Sequence, residues 1–81
     1  MATITIEVKQ GGAALANAKI ILGDVVAGGI TTDESGTITK VVDDGYSILV
    51  PITILHVDIP SGRRDFGIHL LEAGKMYLFV V

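Results

Sequence analysis

A chain of 81 residues without cysteine has room for one small domain and none for disulfides or thiolate metal sites. Six Lys and Arg stand against nine Asp and Glu, giving a net charge of −3, and Arg63-Arg64 is the only adjacent cationic pair. That balance provides no basic stripe for a phosphate backbone, so nucleic acid is not an expected partner. The longest apolar run, Met76 to Val81, is six residues, far below the roughly 20 that a membrane helix needs.

"TITIEVK" (Thr3 to Lys9) follows almost directly on Met1. It lacks the basic n-region and apolar stretch of a secretory leader, so the expectation is a chain made in the cytoplasm without a signal peptide. Its alternation places Ile4, Ile6 and Val8 on one face and Thr3, Thr5, Glu7 and Lys9 on the other, the period of a half-buried strand. Gly11-Gly12 ends it. "AKIILGD" (Ala18 to Asp24) reads as a second strand with Ala18, Ile20 and Leu22 inward, against a competing helix over Ala13 to Leu22.

"DESG" (Asp33 to Gly36) and "DDG" (Asp43 to Gly45) are tight-turn signals. They separate consecutive strands at Ile30 to Thr32, Thr37 to Val42 and Tyr46 to Val50. Pro51 lacks the N–H that a ladder needs and is placed at an edge or a strand end. Further strands are predicted at Thr53 to Ile59, Asp65 to Leu71 and Lys75 to Val81, with "EAGK" as a hairpin turn before the last. Turns every 8–12 residues or so predict an all-β fold, a sandwich or barrel of about seven to eight strands.

The phrase "IEVKQGGAALANAKIIL", then Thr32, Asp33 and Gly36, then Gly45 and Tyr46, resembles the carboxypeptidase regulatory-like group of transthyretin-like domains. The match runs from Ile4 to Val50 and consists of turn chemistry. It implies a single small Ig-like, transthyretin-like β-sandwich that serves as a structural or binding module. The related hydroxyisourate hydrolases carry a His near the start and a C-terminal Tyr-Arg-Gly-Ser phrase, and this chain has neither. Collagen-adhesin repeats form a Lys–Asn crosslink, but the single Asn here, Asn17, lies in a turn.

His56 and His69 are the candidate general bases. Strand alternation puts His56 beside Asp58, with His69 on the paired strand, a possible His/His/Asp metal patch. Two imidazoles on a sheet explain the same residues more simply. Asp33, Glu34, Asp43 and Asp44 are a candidate calcium cluster if they gather at one end of the sandwich, although turn chemistry accounts for all four. Arg63-Arg64 could bind an anion but reads as a solvated turn. Four aromatic residues and no Trp give thin support to a carbohydrate site. No catalytic residue, metal or cofactor is expected.

The distinctive signal is apolar excess. About 21 inward positions are available in such a sandwich, and the chain has 33 residues of Ile, Val, Leu, Met, Phe and Tyr. The surplus falls where both strand faces are apolar, in "SILVPITILHV", "IHLL" and "MYLFVV". The expected interface comprises Ile48, Val50, Ile52, Ile54, Leu55 and Val57 with Met76, Tyr77, Leu78, Phe79, Val80 and Val81. These are placed on one sheet, with the last strand an edge. The expectation is a non-enzymatic assembly subunit, a homo-oligomer or a protein docked on a larger lattice such as a virion, where it would act as a decoration or accessory protein. A carbohydrate- or peptide-binding module is the alternative, and a small hydrolase using His56 or His69 ranks behind it.

Overall fold

The computed structural model describes residues 1–23 and 25–81, with the backbone alone over 25–30. Among the described residues eight strands run in chain order: β1 (Ala2–Gln10), β2 (Ala13–Ala14), β3 (Lys19–Leu22), β4 (Val25–Thr31), β5 (Thr37–Val42), β6 (Ser47–Leu55), β7 (Arg63–Glu72) and β8 (Met76–Val80). In the first sheet β1 is central, with β2 and β5 antiparallel to it and β8 parallel. The second sheet has the order β4-β3-β6-β7 and is antiparallel throughout. The two pack as a small all-β sandwich, and no α-helix occurs among the described residues. The span Ala13 to Leu22 holds β2 and β3, not the competing helix. Asn17 at φ 63° interrupts it, and the β-branched pair Ile20-Ile21 suits a strand.

Alternation builds the core. Ile4, Ile6 and Val8 of β1, Ile20 of β3, Ile38 and Val42 of β5, and Ile52 and Ile54 of β6 are buried between the sheets. A β-bulge in the β6–β7 ladder leaves Phe66 without a partner on β6, with Gly67 beside it at φ 75°. Phe66 packs against the core, its ring centroid 5.0 Å from that of Phe79 on β8.

Three sequence expectations change here. Pro51 does not end a strand; it lies inside β6, opposite Ile68. Its carbonyl accepts from Gly23 N–H at 2.8 Å just where β3 has ended, so the missing N–H faces past that strand and costs no ladder bond. The segment after Leu55 leaves the sheet, so His56 to Ile59 is a turn rather than strand. "EAGK" is not a hairpin turn, because β7 belongs to one sheet and β8 to the other. "DESG" and "DDG" likewise carry the chain across the sandwich, from β4 to β5 and from β5 to β6.

The Thr-Asp-x-x-Gly phrase has a structural account. Thr32 is buried; its hydroxyl donates to Leu15 O at 2.6 Å and accepts from Ala18 N–H at 3.0 Å, tying β2 to β3. Asp33 Oδ1 accepts from Ser35 N–H at 2.8 Å and from Thr37 N–H at 3.0 Å. Gly36 has φ +72°, and its carbonyl accepts from Val8 N–H at 2.8 Å.

The hydrogen bond from Thr37 N–H, then the Thr37 hydroxyl and the Ser35 N–H, hold the Asp33 carboxyl below its ordinary value of 3.8. A depressed folded-state pKa makes a contribution that is complete above 3.8 and lost as pH falls through the folded value. Asp33→Asn should therefore lower the melting temperature at neutral pH. The gap to the parent should close in acid well below 3.8, and thermal melts at both pH values check the sign.

Candidate functional site

The predicted interface residues divide between core and surface. Ile52, Ile54 and Phe79 are buried inside the sandwich, and Ile48, Val50, Tyr77 and Val81 pack against that core. This corrects their placement on an outer surface: on β6 the even-numbered side chains point inward. Leu55 is half-buried on the outer side of β6, and Val57 stands exposed on the turn beyond it. Met76, Leu78 and Val80 do face solvent. The two stretches also lie on different sheets, β6 in one and β8 in the other, and not on one sheet as the sequence suggested.

Two outer apolar surfaces result. On the β6–β7 face, Leu49 lies opposite Leu70 and Pro51 opposite Ile68, forming a square of cross-strand neighbours. Leu49 and Ile68 are each 66% exposed and Leu70 46%. At about 100 Å² each, four such side chains expose about 400 Å², within the 300–600 Å² of the largest patch on a typical monomer, which is often functional. Polar groups flank the square. Thr53 donates to Asp65 at 2.8 Å on one side, and Ser47 pairs with Glu72 on the other. The Arg63 guanidinium and then the Thr53 hydroxyl hold the Asp65 carboxyl below its ordinary value.

The second surface is the outer row of β8, on the opposite face of the sandwich. Met76, Leu78 and Val80 are 67%, 54% and 55% exposed, beside Thr5, Glu7 and Lys9 of β1. Sequence reasoning named this row but missed Leu49, Ile68 and Leu70. The signal was the parity of β6: once Ile52 and Ile54 are inward, Leu49 and Pro51 must point out.

His56 lies at the rim of an open depression lined also by Asn17, Lys19, Leu55 and Asp58. Its Nδ1 accepts from Asp58 N–H at 3.0 Å, so Nε2 carries the proton and donates to Ala16 O at 2.9 Å. Both ring nitrogens are committed to the backbone, joining the β2–β3 link to the β6–β7 link. His69 does not join His56. It pairs with Val50 and packs edge-on to Phe79 at 5.3 Å, while His56 lies beyond the far end of β6, about 20 Å along the strand. The two imidazoles and Asp58 are thus not brought together as a metal patch.

Asp33 and Glu34 precede β5, and Asp43 and Asp44 follow it. The four carboxylates therefore stand at opposite ends of a six-residue strand, about 20 Å apart, and not together as a calcium cluster needs. Among the described residues no group of three or more His, Asp or Glu is placed to hold a metal ion. Tyr46, Phe66, Tyr77 and Phe79 all pack on or in the core, which leaves the carbohydrate reading without an exposed ring platform. The chain matches no family model, no curated protein and no solved structure.

Proposed function

We propose that this protein is a non-enzymatic structural subunit whose two outer apolar surfaces are covered by other protein in an assembly. The observation that carries the proposal is the exposed square of Leu49, Pro51, Ile68 and Leu70, with a second exposed row, Met76, Leu78 and Val80, on the opposite face. One apolar face suits a dimer. Two on opposite sides suit a repeating array, because each subunit then has two neighbours. A regular protein shell, such as a virus particle, is an assembly of that kind, and a decoration or accessory subunit on it is the finer form of the proposal.

Replacing both Leu49 and Ile68 with Asp tests it. Their side chains point outward, so the fold should persist by circular dichroism. Light scattering should give the parent a mass that is a multiple of 8.5 kDa and give the variant at most half of the parent value. A parent at 8.5 kDa across the accessible concentration range would count against the proposal.

A further inference from the structure

We infer that β8 is a sheet-extension edge that pairs antiparallel with β8 of a second copy, joining two sandwiches into one continuous sheet. The inference rests on the assembly reading and specifies one of its contacts.

The backbone gives the first argument. Thr5 N–H donates to Lys75 O at 3.2 Å, and Val81 N–H donates to Lys9 O at 2.8 Å. With the parallel register of Thr5 on Met76, Glu7 on Leu78 and Lys9 on Val80, this direction alternates along β8. Tyr77 and Phe79 use both backbone groups on β1. Met76, Leu78 and Val80 turn theirs away from it, to a side where, among the described residues, β8 has no strand. Three N–H and three C=O groups thus form a free, regularly spaced edge.

The second argument is that this edge is self-complementary. A two-fold axis through Leu78 pairs Leu78 with its own copy and Met76 with Val80 of the other chain. Each is a hydrogen-bonded antiparallel pair, so all the free groups are satisfied at once. On the outer face every cross-strand neighbour is then apolar, and on the inner face Tyr77 meets Phe79. No charged side chain lies between Met76 and Val81, and Lys75 is held by Glu72 at 3.0 Å. The axis also sends the two Lys75 residues to opposite ends of the pair.

The third argument is contrast with the edges at β7 and β5. β7 is blunted by its bulge at Phe66, by Gly67 at φ 75° and by the charges of Arg63, Arg64 and Asp65. β5 carries Lys40. These are the devices by which sheets avoid edge-to-edge pairing, and β8 has none of them.

Amide hydrogen exchange on the assembled wild-type protein provides the test. Pairing should slow the amides of Met76, Leu78 and Val80 to the level of Tyr77 and Phe79, about 10-fold or more below an unpaired edge. Leu78→Pro removes one outward N–H and none of the β1 ladder; it should lower the assembled mass further than Leu78→Ala, which loses the same side chain but keeps the N–H. An assembled wild type in which the three amides exchange freely would overturn the edge pairing and leave the assembly reading standing. A wild type that stays at 8.5 kDa would overturn both.

Discussion

Gly36→Ala should lower the unfolding free energy by about 3 kcal/mol, through overpacking against rigid backbone and a strained φ. A Cβ at this position would lie 2.7 Å from Val8 O and 2.9 Å from Leu15 N, both main-chain atoms in a hydrogen-bonded ladder that cannot swing aside. The backbone at φ +72° adds its own cost to any L side chain. For 81 residues a total stability of about 4–12 kcal/mol is ordinary, so the loss is a large share. Urea titration should show the midpoint falling sharply. Gly45→Ala is the control, since its Cβ would meet nothing within 4 Å. Equal midpoints for the two variants would contradict the close approach.

Thr32→Val should cost about 2–3 kcal/mol although it preserves shape, because it leaves Leu15 O and Ala18 N–H without their buried partner. Thr32→Ser keeps the hydroxyl and loses one methyl, for about 1 kcal/mol. The order parent, Ser, Val in denaturant midpoint identifies the hydrogen bonds as the source. A Val variant as stable as the parent would mean that the hydroxyl is not needed to join β2 to β3.

Both predictions concern the phrase that carried the family resemblance. Thr32, Asp33 and Gly36 each serve the crossing from one sheet to the other, so the motif describes a way of folding and supplies no catalytic group. The candidate site lies elsewhere, on strand faces with no motif. This is why it was legible only as a surplus of apolar residues. Counting side chains against inward positions indicated that some must remain outside, but not which ones. On β6 both faces are apolar through Ile48 to Val50. Ile52 and Ile54 are therefore indistinguishable by composition from Leu49, which lies on the other side of the same strand.

The histidines make the same point. Alternation puts His56 and Asp58 on one face only if the strand continues through them. It stops at Leu55, and His56 is fixed by two backbone partners close to the strand end. Residue type and spacing suggested a base; the hydrogen bonds make it a brace.

The sequence by itself determined that the chain is a succession of short strands and turns, because both are set within a few residues. Alternation follows from the opposite directions of successive side chains, and Gly and Asp at turns follow from local φ and side-chain bonding. Only the tertiary structure decided which strand lies beside which: β8 next to β1 and not β7, β5 and β6 in different sheets, and Leu49, Ile68 and Leu70 facing out. A strand's hydrogen-bonding edge is the same whatever its neighbour, and a one-residue change of register exchanges its two faces. The choice is made by how all the side chains pack at once.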